Sequence, residues 1–390
     1  MERMTQPAGA HSSPQARNLT EIAERIGETV AGPASRDVDF HARFPVETID
    51  ALIGERLLSA VVPTELGGLG ASIAEMSDFI RVLSHYCTSS ALVLAMHTIE
   101  VYTLVRHGNT PRLQGLISQV VEDQILLANA TSERPTPDGG AALLREDGTA
   151  RIDRPTLACS YGLNADVIMT HVRRTPDSST DDRVYLAVPV TDAELEQTST
   201  WNTLGLRGTC SYGLRIRANV SNDAIFPVPW SDVMNGGFIQ ARHVLAGSAY
   251  VGIAEAALRE AHTAVRAEAR RSIGTTPPSA SRLAELLLEV DKVRGLLASV
   301  VSRFEILESE GSLDDITFIA SLRNLKVAST EVAAETASRA LQICGIAGIH
   351  RDTDMVIERI VRDAHAALVM FGNDGLLRQN ADVLIARKSI

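Results

Sequence analysis

Basic residues are in short supply in this 390-residue chain: 37 Lys and Arg stand against 48 Asp and Glu, for a net charge of −11. That deficit argues against a nucleic-acid partner and against an anionic membrane surface. It leaves room for a local basic pocket that holds a small anion. Aromatic residues are only 4%, and alanine is frequent, which suits a helix-rich protein. The four cysteines, Cys87, Cys159, Cys210 and Cys344, are far apart and form no Cys-x-x-Cys pair. A disulfide framework or a zinc site is therefore not expected, and free thiols fit a cytoplasmic location. No run of about 18 apolar residues suggests a membrane span. The first 17 residues lack the apolar stretch of a secretory signal and read as a flexible tail. Internal repeats and low-complexity segments are also missing.

What the chain does have is apolar content, 45% of its residues, ample for two or three domains. From Asn18 to about Ile125 the apolar spacing is helical, as in Leu19, Ile22, Ile26 and Val30. A glycine-rich interruption, Pro63 to Gly70, calls for a turn or a close backbone approach. Ser72 and Glu75 then form a candidate capping box for the next helix. Between about Leu126 and Val233 the texture changes to short β-rich runs. These are Ile125–Ala128, Ala150–Asp153, Val167–Val172, Val184–Val190 and Leu214–Ala218, separated by turn formers. That pattern predicts a small β-barrel or sandwich. From Met234 onward the reading is helical again, with long helices over Phe238–Arg266, Arg282–Glu308, Leu322–Leu341 and Val356–Met370. Ala246, Gly247, Ala249, Gly252 and Ala256 permit close helix packing in the first of these.

Arg362 to Arg378, RDAHAALVMFGNDGLLR, reads as helix, tight loop, helix. This stretch resembles the C-terminal signature of the acyl-CoA dehydrogenase superfamily, in which Arg-Asp-Ala is followed, after a spacer, by Glu-Gly-Thr. Pro63–Gly70 and Trp201–Thr209 (WNTLGLRGT) resemble two further landmarks, in the right order. The resemblance implies an α+β fold: an N-terminal helical domain (18–125), a middle β-barrel domain (126–233) and a C-terminal four-helix bundle (234–390). It also implies FAD, chosen over FMN because the adenine-end motifs persist in part, and a homotetramer or homodimer, or one half of a hetero-oligomer.

The resemblance places the flavin contacts residue by residue. Ser132, followed by Glu133, takes the position that meets the pyrimidine side of the flavin. Ser160 takes the threonine position near flavin N5, and Ala158 stands where an aromatic is usual. Arg270 would meet the pyrophosphate. Gln342, Gly345 and Gly348 match the Gln-x-x-Gly-Gly-x-Gly element, and Asn373 replaces the threonine after the glycine. The glutamate that removes the substrate α-proton is missing, because Phe371 stands in its place. An alternate base site in some members falls on Ala241 or Arg242, neither acidic. Other candidates are His97, His243, His365 and Asp374, although a lone helical histidine is more often structural than catalytic. Three readings follow. The first is an oxidoreductase acting on an acyl thioester of CoA or a carrier protein, with an atypical base. The second is a monooxygenase of the N-hydroxylase or sulfur-oxygenase type on the same fold, which needs no α-proton base. The third is a non-catalytic partner subunit.

Overall fold

The computed structural model describes residues 18–132, 140–271, 274–370 and 372–386. Glu133 and Phe371, which carry parts of the sequence reading, lie outside the described residues, as does the 1–17 segment.

The N-terminal layer begins with α1 (Leu19–Ile26), which runs through a π-helical turn at Gly27–Ala31 into α2 (Gly32–His41). The π turn accommodates Tyr86: a Cβ at Gly27 would lie 2.1 Å from its ring. Next come α3 (Val46–Gly54), α4 (Ile73–Ser84), α5 (Thr88–His107) and α6 (Pro111–Glu122). The capping box forms as expected. Glu75 N–H donates to Ser72 Oγ at 3.1 Å, and Ser72 N–H donates to a Glu75 carboxylate oxygen at 2.8 Å. The preceding glycines are needed sterically, since a Cβ on Gly68 would stand 2.1 Å from the carbonyl oxygen of Val62. By length and composition alone α5 could cross a membrane. Its most apolar window is 94% buried inside the protein, as suits a core helix.

Two four-stranded sheets make the middle layer. In the first, β1 (Leu127–Ala130) pairs parallel with β4 (Val167–Arg173), followed by β5 (Arg183–Pro189) and β8 (Ile225–Pro229). The second orders β2 (Ala142–Leu144), β3 (Thr149–Cys159), β7 (Tyr212–Ser221) and β6 (Ala193–Gln197), all antiparallel. An Ala141–Arg173 bridge joins the two sheets. The long β3–β7 ladder slips register between Thr156 and Cys159, a bulge that bends the end of β3.

The chain then enters the helical layer through a short α7 (Trp230–Val233). It continues as α8 (Ile239–Arg271), α9 (Ser279–Glu310), α10 (Ile316–Cys344), α11 (Ile357–Val369) and α12 (Asn373–Ala386). Small residues on α8 let its neighbours approach. Gly247 faces Leu325 of α10, and a Cβ on Gly252 would stand 2.4 Å from the carbonyl oxygen of Arg81 on α4. All four cysteines are free thiols.

The Trp201–Thr209 and Arg362–Asp363 landmarks interlock. Leu206 N–H donates to Asp363 Oδ1 at 2.6 Å, and Arg362 reaches both the Leu204 carbonyl (3.1 Å) and Asp39 Oδ1 on α2 (2.8 Å). Arg207 Nε donates to the Asp39 carbonyl at 2.7 Å, and Gly208 N–H to Ser89 Oγ on α5 at 3.2 Å. One loop of the middle layer is thereby clamped by three helices.

Candidate active site

Strand β1 ends in the turn Thr131–Ser132, which folds against the bent end of β3. Ser132 Oγ accepts from Ala158 N–H at 3.0 Å and lies 2.6 Å from the Ala158 carbonyl and 2.7 Å from Thr156 Oγ1. Two residues on, the half-buried Ser160 shares a 2.8 Å hydroxyl contact with Ser211, which itself meets Thr209 Oγ1 at 2.9 Å. Ser132 is thus assembled at one strand end with Ala158 and Ser160, which lie 26 or more residues away in sequence. Their small side chains and hydroxyls offer both donors and acceptors, which is the chemistry that the edge of a flavin ring presents.

Beneath that turn lies a polar cluster that sequence reasoning missed. Glu100, on α5, is completely buried. Its carboxyl takes the Tyr185 hydroxyl at 2.5 Å and an N–H of Asn129. Burial drives the Glu100 carboxyl up to about 8, against the pull of Tyr185, Asn129 and Arg242. The only sequence signal was a single acid in an otherwise apolar helix, a residue type that is seldom buried without partners.

His97 sits one turn earlier on α5 and is also fully buried. Nδ1 accepts from Leu127 N–H at 3.0 Å, and Nε2 stands 2.7 Å from the Leu58 carbonyl, so the ring carries its proton on Nε2. Burial outweighs those backbone bonds and brings the imidazole down to about 4. Both nitrogens are committed, so the expectation of a catalytic histidine gives way to one that ties α5 to β1. His243 on α8 donates from Nδ1 to the Ile239 carbonyl at 2.7 Å. Burial and then the charge of Arg242, with those of Arg323 and Lys326, lower it to about 3. It is too weak a base to draw a proton at neutral pH. His365 meets Ser338 Oγ at 3.1 Å on an exposed face.

Asn373 does not present a free amide, as expected for a ligand contact. Its Oδ1 accepts from Lys326 Nζ of α10 at 2.6 Å, and its Nδ2 donates to Thr330 Oγ1 at 3.2 Å. Lys326 is only 1% exposed, and burial with the nearby Arg242 charge lowers it to about 8. Asp374, exposed in the first turn of α12, complements that helix's N-terminal dipole. The surroundings of His243 are cationic: Arg242, Lys326 and Arg323 act together on it.

The remaining expected contacts lie elsewhere on the chain. Arg270 is exposed near the end of α8, roughly 40 Å along the helix axis from Arg242. Gln342 and Gly345 are exposed at the end of α10. Gly345 has φ +68°, and a Cβ on the buried Gly348 would press within 2.8 Å of Ile357. Within one chain, then, the structure brings Ser132 and Ser160 together, and groups Gln342, Gly345 and Gly348. It does not bring these two sets to one place.

Comparison with known proteins identifies the family of this fold. Residues 13–121 match the acyl-CoA dehydrogenase N-terminal domain, and residues 230–383 match the C-terminal domain. A probable acyl-CoA dehydrogenase, fadE25 of Mycobacterium leprae, is 24% identical over 373 residues, 92% of each chain. The amino sugar nitrososynthase DnmZ of Streptomyces peucetius is 27% identical over 318 residues, 77% of this chain and 76% of that one. Among solved structures, FMN-bound TdsC of Paenibacillus sp. A11-2, a dibenzothiophene monooxygenase, superposes with a TM-score of 0.85 at 20% identity. That match covers 95% of this chain and 98% of TdsC. With both terminal domains matched and the three layers in order, this chain belongs to the acyl-CoA dehydrogenase superfamily and is an enzyme of that flavoprotein oxidoreductase class.

Proposed function

We propose that this protein is a flavin-dependent monooxygenase that oxidises a nitrogen or sulfur atom of a small molecule. The observation that carries this reading is the lack of an acid at the two base positions. Phe371 occupies one in the sequence, Ala241 or Arg242 takes the other, and His243 beside it is held neutral by burial and neighbouring cations. Abstraction of an α-proton needs a group of near-neutral basicity within reach of that proton. Oxygen transfer to a heteroatom does not. The likeness to DnmZ and TdsC supports the same choice.

The residues at the end of β3 fit a flavin ring: Ser132 and Ser160 would hold its edge, and Ala158 leaves space beside it. Reduced flavin bound there would supply the electrons for oxygen activation. One atom of O2 would go to the substrate heteroatom and the other would leave as water, with two electrons and one proton arriving as hydride from a reduced nicotinamide and the second proton from solvent. We take the flavin to be FAD, bound across two copies of the chain. Arg270, Gln342, Gly345 and Gly348 lie at the far end of the bundle, where a second copy could use them. Mass spectrometry of the released cofactor distinguishes FAD from FMN.

The test is spectroscopic. Purified protein loaded with flavin should show no anaerobic bleaching with butyryl-CoA or octanoyl-CoA. Given reduced flavin and oxygen, it should oxidise a sulfide or amine probe such as dibenzothiophene. Prompt bleaching by an acyl-CoA overturns the proposal. It would favour instead an acyl-thioester dehydrogenase, the reading that the fadE25 likeness supports. Phe371→Glu adds a second arm. On the monooxygenase reading it gains no measurable acyl-CoA oxidation, since a missing base is not the only thing that separates the two chemistries. A gain in that activity argues for a dehydrogenase that has lost its base.

A further inference from the structure

The buried Glu100 cluster is a group of titratable side chains at a layer junction that the proposed reaction leaves unused. Its contacts come from every layer. Tyr185 on β5 approaches from one side and is stacked on Trp230 with ring centroids 4.6 Å apart, which fixes its hydroxyl. Arg242 on α8 is near enough for its charge to act on the carboxyl. Asn129 on β1 approaches from the third side.

Asn129 is the link to the site. Its Nδ2 donates to Glu100, while its Oδ1 accepts from Thr131 N–H at 3.2 Å and from Thr131 Oγ1 at 2.6 Å. The amide can therefore sit only one way round: the Thr131 N–H demands the oxygen, which turns the NH2 group toward the carboxyl. The next residue is Ser132, whose hydroxyl is fastened to Ala158 and Thr156. A continuous path of hydrogen bonds thus runs from the middle of a core helix to the turn at the strand end. Without the acid, the Asn129 amide loses the partner that sets its direction, and the Tyr185 hydroxyl is left buried.

We propose that Glu100 is a positioning residue for the flavin seat, acting through Asn129 to fix the Thr131–Ser132 turn. This rests on the reading above that a flavin meets Ser132. The test compares Glu100→Ala and Glu100→Gln with wild type in the full chain. Hydrogen exchange of the backbone amides at 127–132 is followed in cofactor-free protein. FMN and FAD affinity and the visible flavin spectrum are then read separately.

Glu100→Ala should speed exchange at Thr131 and Ser132, shift the flavin spectrum and weaken flavin binding by about tenfold. Glu100→Gln, which keeps an acceptor for Asn129, should restore all three. Unchanged exchange at 131–132, or an unchanged spectrum and affinity alongside a lowered melting temperature, overturns the proposal in favour of a purely structural acid. If Glu100→Ala does not fold, Asn129→Ala breaks the same path at a half-buried residue, and the same two outcomes decide. Wild-type protein that takes up neither flavin sinks the functional reading itself, while exchange in the cofactor-free chain still reports whether Glu100 orders the turn.

Discussion

Replacing Glu255 with alanine lowers folding stability by about 3–5 kcal/mol, the range for breaking a buried ion pair from one side. Glu255 lies on α8 and is 1% exposed. It is met by Arg81 of α4 at 2.9 Å, by His85 at 2.5 Å and by Arg294 of α9 at 2.5 Å. One carboxylate therefore answers three basic side chains and joins the N-terminal layer to the bundle, and its loss strands all three. Burial alone would raise the Glu255 carboxyl. The His85 hydrogen bond and the charges of Arg81 and His85, with Arg294, more than offset it and bring the group down to about 2. A lowered carboxyl stabilises the fold fully above its unfolded value of 4.5 and loses that contribution as pH falls toward 2. Urea melts should therefore show a wide gap between wild type and Glu255→Ala at pH 7 and a much narrower one near pH 3. An equal gap at both values would sink the ion-pair account.

Gly205→Ala should cost about 3 kcal/mol, the upper part of the usual range for forcing extra volume into a packed site. A Cβ there would lie 2.2 Å from the Arg362 carbonyl oxygen, 2.4 Å from its carbonyl carbon and 2.6 Å from the Asp363 nitrogen. All three are backbone atoms of α11, so no rotamer change relieves the clash. The loop would have to withdraw from the helix, which breaks the Leu206–Asp363 bond as well. Thermal melts measure the loss. A melting temperature within experimental error of wild type would show that the joint is softer than its geometry implies.

Elements whose pattern is local could be read from the chain alone. The capping box at Ser72–Glu75, the break between α11 and α12 and the apolar, β-branched runs of strands β4 and β5 all follow from neighbours in sequence. Strands β6 and β8 could not be read this way. The first, Ala193–Gln197, is mostly polar, and the second, Ile225–Pro229, contains two prolines and sits at a sheet edge, where a missing N–H is tolerated. Ser132 and Ser160, expected from the resemblance, lie near one another at the end of β3. His97 was misread because its partners, the Leu58 carbonyl and Leu127 N–H, lie 39 and 30 residues away. Glu100 and Lys326 escaped notice for the same reason. A charged residue in an apolar helix shows that a partner must exist but not where it is.

The loop at Leu204–Thr209 has a consequence for biogenesis. Its amide at Leu206 is answered by Asp363, 157 positions later. A ribosome releases the whole middle domain long before it releases that aspartate. The nascent polypeptide therefore emerges with an open seam between sheets and helices, and only the last part of translation can close it. Stalled or prematurely terminated products keep the seam open, and that exposed edge is a feature by which chaperones and proteases can tell them from the finished molecule.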